Sequence, residues 1–103
     1  MGCDMLEPER CRSLTEVRAA LDVLDEEIVR LLARRFQYVD AAARIKQRRE
    51  EVRDEERISA VIDHVRSKAA GQGAPAELVA EVYKNLIEVS IRRELKKFDA
   101  DAA

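Results

Sequence analysis

The sequence contains few residues that break helices and few that stack on nucleic-acid bases. Among its 103 residues there are three Gly, two Pro and no Trp, and aromatic residues make up 4% of the chain. So few aromatic side chains cannot form a base-stacking surface. A formal net charge of -2 also provides no basic field that attracts phosphates. We therefore expect no nucleic-acid partner.

Long apolar runs and paired metal ligands are missing as well. No apolar stretch approaches the roughly 20 residues of a membrane span, and the first residues, MGCDMLEPER, lack the apolar centre of a secretory signal. Cys3 and Cys11 have no His at the spacing of a zinc finger, so we interpret them as free thiols in a reducing compartment. These features predict a cytoplasmic protein that binds neither a metal nor a membrane.

Charged and helix-forming residues make up most of what is present. Charged residues account for 39% of the chain, and Ala, Leu, Glu and Arg are frequent. Such a composition is typical of long amphipathic helices rather than of β-sheets. A chain of this length corresponds to one domain. The composition therefore predicts an all-α fold.

The stretch from Ser13 to about Arg49 contains neither Gly nor Pro and predicts one long helix. Ser13 and Glu16 have the spacing of a capping box at its start. A helix of about 36 residues would be about 54 Å long, whereas a compact chain of this size has a radius of gyration of only about 13 Å. Apolar residues at 4-3 spacing form one stripe along the helix: Val17, Leu21, Leu24, Ile28 and Leu31. Something else must cover this stripe, most simply a second copy of the chain.

Two further helices are predicted after this one. Asp54 can cap a helix that begins near Glu55 and ends at Gly71, and Pro75 suits the first turn of a third helix that runs to about Phe98. Residues 1–12 are expected to form an irregular lead-in and residues 99–103 a disordered tail, so that residues 13–98 form the domain. Long, short and long helices from two chains would form a homodimer, a six-helix bundle.

Polar residues interrupt the apolar faces of the first and third helices. Arg35 falls on the continued stripe, and Lys46 lies on the same face about 16 Å farther along the axis. On the third helix, Ser90 and Glu94 lie one turn apart among apolar residues. A Ser in this place is commonly satisfied by the carbonyl four residues earlier, but unpaired buried charges are costly. Either the two cations reach solvent or acidic partners, or they form a pocket for an anion.

Arg18 extends this set of charges to the first half of the long helix. Its side chain lies about 100° from Arg35 around the helix axis. The two guanidinium groups therefore cannot easily serve one pocket within one helix, but they could meet across a dimer. Arg57, at the start of the second helix beside Asp54, adds a further cation.

The sequence resembles the all-helical chorismate mutase family over about residues 14–98. The matching stretches are VRAALDVLDEEIVRLLARR, AARIK, VRDEER and LIEVS. The spacing of four basic residues fits the active-site pattern of that family: Arg18, Arg35, Lys46 and Arg57. The lead-in with Cys11 and the run RRFQYVDAAARIK look especially like the isochorismate pyruvate lyase branch, which is used in salicylate biosynthesis.

The resemblance implies an intertwined homodimer with two equivalent sites, each of which borrows Arg18 from the partner subunit. Arg35 and Arg57 would bind a small dicarboxylate substrate, and Lys46 would donate a hydrogen bond to its ether oxygen. Asp54 would lie near the ring hydroxyl and Ser90 at the pocket edge. The implied reaction is the rearrangement of chorismate to prephenate, a step of the shikimate pathway in aromatic amino acid biosynthesis. This pericyclic step needs no cofactor, metal or nucleophile.

Two positions depart from the family pattern. Glu94 stands where many bacterial members carry a Gln that donates to the ether oxygen. Because an ionised carboxylate cannot donate, we hypothesise that activity rises as pH falls, unless Lys46 holds Glu94 ionised. Ile58 stands where typical mutases have a Glu that contacts the ring hydroxyl, and the lyase branch is apolar there too. Asp54, by contrast, is retained as in the mutases.

Chorismate mutase is the function that the sequence favours, and three alternatives stay open. The first is an isochorismate pyruvate lyase or a bifunctional enzyme. The second is a mutase of 4-amino-4-deoxychorismate. The third is a non-enzymatic helical dimerisation or regulatory module, in which Arg35→Ala or Lys46→Ala would leave every function unaffected.

Overall fold

The computed structural model describes residues 6–102 and contains three α-helices. They are α1 (Leu14–Ile45), α2 (Glu55–Gly71) and α3 (Ala76–Ala102), and two short 3-10 turns lie at Pro8–Arg10 and Arg49–Glu51. Residues 6–102 contain no strand. The predicted all-α class with long, short and long helices is therefore confirmed. Cys3 and the start of the expected lead-in lie outside the described residues.

Helix α1 begins as predicted and ends earlier than predicted. Ser13 Oγ accepts a hydrogen bond from the Glu16 backbone N–H at 3.2 Å, and the Glu16 carboxylate accepts one from the Arg12 N–H at 2.7 Å. The helix ends at Ile45 rather than near Arg49. The N–H of Gln47 bonds the Glu51 side chain at 3.3 Å instead of a helical carbonyl, so the chain leaves the helix there.

The apolar stripe of α1 is exposed in the single chain. Its five members, Val17 to Leu31 at the 4-3 positions, retain between 37% and 53% of their accessible surface. Ala43 is the one buried residue of this helix. Burial of apolar surface is the main stabilising contribution in folded proteins. The stripe for which we expected a cover is therefore open to solvent in the described chain.

The chain divides into two compact units within α1. The first ends at Arg35, and the second runs from Phe36 and contains α2 and α3. The second unit has the apolar core, where α2 packs against α3: Val52, Ile62, Ala80, Ile87 and Ile91, with Ile58, Val61, Tyr83 and Leu95 around them. Val52 lies between charged residues in the sequence, yet it is 4% exposed and belongs to this core.

The connections of the second unit follow the predicted signals, whereas its last helix is longer than predicted. Asp54 Oδ1 accepts a hydrogen bond from the Arg57 N–H at 3.1 Å and caps α2. Gly73 adopts a φ of +74° in the turn before α3, a conformation that favours glycine. Helix α3 continues to Ala102, so residues 99–102 are helical rather than a tail. Asp99 forms an ion pair with Arg49, which attaches this extra turn to the body of the unit.

Candidate active site

Lys46 and Glu94 form an ion pair in the second unit. Lys46 is the first residue after α1, and Glu94 lies on the inner face of α3. The Lys46 Nζ atom is 2.7 Å from Glu94 Oε2, and the two side chains are 27% and 10% exposed. Lys46 thus has an acidic partner, which is one of the two outcomes expected for the cations, and its place in a pocket for an anion stays a prediction.

The buried oxygen of Glu94 has an incomplete set of partners. Within residues 6–102, no donor meets Glu94 Oε2 with hydrogen-bond geometry, although the Lys46 ammonium lies 2.7 Å away. The pair is thus held by attraction between charges rather than by a well-directed hydrogen bond. An ammonium group has three N–H donors, so Lys46 can face Glu94 and still donate to an oxygen of a ligand. The pH dependence of activity expected from Glu94 stays a prediction.

Ser90 lies one helical turn before Glu94 on the same buried face of α3. Its hydroxyl donates to the Leu86 carbonyl oxygen at 2.8 Å. This bond to the carbonyl four residues earlier is the one predicted from the sequence. Ser90 and Glu94 are the two polar residues on the buried face of α3.

The beginning of α2 contributes three of the predicted site residues. Asp54 has a structural task as the N-cap of the helix. The Arg57 side chain is exposed. Ile58 is half-buried and packs against the apolar core. The apolar character of position 58 therefore has a packing role in addition to any effect on a ligand.

Arg18 and Arg35 belong to the first unit. Both lie on α1, Arg18 exposed and Arg35 half-buried. Their contribution to the substrate site stays a prediction.

Ion pairs around Lys46 and Glu94 were not anticipated from the sequence. Asp40 on α1 accepts two hydrogen bonds from Arg93 on α3, at 2.8 and 2.7 Å. These bonds hold the pKa of Asp40 below its usual range. Arg53 likewise donates to Glu88 at 2.6 Å and lowers the pKa of that carboxyl. The run of charged residues after α1 indicated that ion pairs could form there, but a sequence pattern of this kind does not predict which residues pair.

Comparison with known proteins identifies the family. Residues 17–95 match the model of the family described as chorismate mutase type II. The chain belongs to this family. It is also 33% identical over 92 residues to the isochorismate pyruvate lyase of Pseudomonas aeruginosa, an alignment that covers 89% of this chain and 91% of that enzyme. The resemblance described from the sequence is thereby confirmed, and the chain is placed among chorismate-using enzymes.

Every candidate site residue of this chorismate mutase type II chain lies within the matched range. Arg18 is next to its first residue and Glu94 next to its last. Among the described residues, no helix is long and apolar enough to span a bilayer. Chemically, the arrangement offers a sheltered ammonium group beside a carboxylate. A preorganised donor in a place with little water stabilises negative charge that develops on a nearby oxygen.

Proposed function

We propose that the chain is a chorismate mutase that converts chorismate to prephenate in aromatic amino acid biosynthesis. Membership of the family supports the reaction class. The observation that carries the proposal is the Lys46 ammonium held 2.7 Å from a buried carboxylate. This geometry provides a donor with a fixed position, and the reaction requires one at the ether oxygen of the substrate.

The proposed reaction breaks one bond and forms another within the same molecule. The C–O bond between the ring and the ether oxygen breaks while a C–C bond forms between the enolpyruvyl methylene and the ring. No proton is transferred, so the enzyme must restrict the flexible side arm and stabilise the charge that grows on the ether oxygen. In this proposal Lys46 donates to that oxygen.

The arginines of the proposed site bind the two carboxylates of the substrate. Bidentate contacts between guanidinium and carboxylate groups give both affinity and orientation. We assign this role to Arg35 and Arg57, with Arg18 contributed by the partner subunit. Ser90 and Asp54 are proposed to lie near the substrate ring.

The proposal includes a homodimer, because the apolar stripe of α1 needs a cover. Ile28 and Leu31 in the middle of the stripe are 52% and 53% exposed. Large exposed apolar surfaces on a protein are typical of interaction sites. A second copy of the chain presents the same stripe, so a two-fold axis could bury both.

A second candidate function is that of an isochorismate pyruvate lyase. The 33% identity to the Pseudomonas aeruginosa enzyme over nine-tenths of both chains favours it. In that reaction the C–O bond breaks and a ring hydrogen moves to the enolpyruvyl methylene, which gives salicylate and pyruvate. The same donor at the ether oxygen would serve, and the apolar Ile58 agrees with the lyase branch.

The test is to incubate the purified protein separately with chorismate and isochorismate and to compare kcat/KM for the loss of each. Faster formation of prephenate from chorismate supports the proposal. Faster formation of salicylate and pyruvate from isochorismate replaces it with the second candidate. Turnover of neither substrate leads to a test of 4-amino-4-deoxychorismate. If that fails too, and if the dicarboxylates do not raise the melting temperature, the proposal is wrong and the chain is a non-enzymatic dimerisation or regulatory module.

A further inference from the structure

The residues after Lys46 are attached to α3 on both sides of Glu94. We call residues 46–53 the Lys46 segment, which connects α1 with the cap of α2. Arg49 makes a bidentate ion pair with Asp99, in which Nε lies 3.0 Å from Oδ1 and Nη2 lies 3.4 Å from Oδ2. At the other end of the segment, Arg53 Nη2 lies 2.6 Å from Glu88 Oε1. Glu88 precedes Glu94 on α3 and Asp99 follows it.

Some contacts hold the far end of the Lys46 segment, and others hold the part that lies next to Lys46 in the sequence. The far end is fixed by the buried side chain of Val52 together with Arg53. Inside the segment, the Glu51 carboxylate accepts hydrogen bonds from the Gln47 N–H at 3.3 Å and from Arg48 Nε at 3.4 Å. These bonds order the turn but do not reach α3. Apart from the Lys46–Glu94 pair itself, the near part of the segment is joined to α3 by the ion pair between Arg49 and Asp99.

Lys46 depends on such support because its side chain is long and flexible. A lysine has a four-carbon stem and a point charge at its end. Catalytic groups must be held within about 0.5 Å of their productive position by surrounding contacts. We infer that Arg49, through its ion pair with Asp99, is a positioning residue that holds the Lys46 segment against α3 and so places the Lys46 ammonium. The inference rests on the proposed function of Lys46.

A second ion pair of the same kind provides a matched control. Arg66 on α2 makes a bidentate pair with Glu77 on α3, at 3.0 and 3.1 Å. It joins two elements of the same unit, but neither residue belongs to the Lys46 segment. Arg49, Asp99 and Glu77 are exposed and Arg66 is half-buried, and ion pairs in contact with solvent typically contribute little to stability. A difference in activity between the two variants would therefore report on position rather than on stability.

The kinetic experiment compares Arg49→Gln with Arg66→Gln in the full-length protein. We expect Arg49→Gln to lower kcat by about ten- to a hundredfold, with KM changed much less, because a misplaced catalytic group costs rate even when the substrate still binds. Arg66→Gln should leave kcat unchanged. The double variant Arg49→Asp/Asp99→Arg reverses the pair and should recover most of the lost kcat. Equal kcat values for the two single variants would overturn the inference.

Hydrogen exchange separates this inference from the proposed function. Backbone amides of residues 47–53 should exchange faster in Arg49→Gln than in the wild type, and Arg66→Gln should not change them. This measurement needs no substrate, so it can be made even if the wild type turns over neither chorismate nor isochorismate. Absence of turnover would count against the proposed function, whereas unchanged exchange in Arg49→Gln would count against the positioning role.

Discussion

At the scale of single residues, the Glu94 carboxylate affects the proposed reaction in two ways, through the Lys46 ammonium and through the substrate oxygen. The pair is close and largely shielded from solvent. A carboxylate in this place holds the ammonium group, but it also opposes any negative charge that builds on a substrate oxygen. The two effects act in opposite directions on the rate, and a substitution can separate them.

The Glu94→Gln variant should raise kcat/KM for chorismate at neutral pH. A neutral amide can donate to the ether oxygen and no longer repels the charge that develops there. Prephenate formation by the two proteins at equal concentration measures the effect. Glu81→Gln, at an exposed position of the same helix, is the control and should change nothing. A large fall in kcat/KM for Glu94→Gln would instead mean that the negative charge is needed to hold Lys46.

Single-residue predictions from the sequence succeeded where helical spacing decided them. The bond from Ser90 to the Leu86 carbonyl and the burial of Glu94 both follow from positions on the inner face of α3. Val52 was missed because an apolar residue in a short connection has no periodic neighbours that would indicate burial. Val52 is buried because α3 packs beside the 3-10 turn Arg49–Glu51, and this packing is a tertiary contact that the local sequence does not reveal.

At the scale of secondary-structure elements, the end of α1 is held to α3 by Asp40 and Arg93. The hydrogen bonds from Arg93 lower the pKa of Asp40 in the folded protein. A carboxyl whose pKa is lowered on folding stabilises the native state when it is ionised in both states. That contribution is present above the pKa in the unfolded chain and is lost as pH falls through the lower pKa of the folded state.

Asp40→Asn should therefore lower the free energy of unfolding at neutral pH by an amount that disappears in acid. We expect the difference in free energy of unfolding between wild type and variant to be constant above about pH 5. It should shrink as the pH falls below 3.8, the ordinary pKa of an Asp side chain. Urea unfolding at a series of pH values measures it. Asp22→Asn, at an exposed position of α1, serves as the control. If the difference in free energy of unfolding stays the same well below pH 3.8, the contact with Arg93 is not what makes ionised Asp40 stabilising.

Element boundaries were predictable where local capping sets them. The starts of α1 and α2 follow from Ser13 and Asp54, whose side chains bond backbone N–H groups nearby in the sequence. The end of α1 and the extension of α3 were not predictable. The extra turn of α3 contains Asp99, whose partner Arg49 lies far away in the sequence. No local pattern identifies such a pair.

At the scale of the whole molecule, the proposed dimer makes a prediction about the stripe of α1. Ile28→Glu would place a charge in the middle of the surface that two chains are proposed to bury. Sedimentation should give twice the chain mass for the wild type and a smaller average mass for the variant. Activity should fall with it, because Arg18 is proposed to come from the partner subunit.

Ala19→Glu is the matched control for this substitution. Ala19 is exposed on the same helix, nine residues before Ile28 and therefore on the opposite side at 100° per residue. The control should keep the mass and the activity of the wild type. A wild-type protein that sediments as a single chain and is fully active would contradict the proposed dimer.

The central claim is that Lys46 donates to the ether oxygen in the transition state. The most direct test is to compare kcat/KM for chorismate between Glu94→Gln and the double variant Lys46→Met/Glu94→Gln, since both then lack a buried unpaired carboxylate. Removal of one preorganised donor should lower kcat/KM by about a hundred- to a thousandfold. Equal values in two folded proteins would contradict the claim.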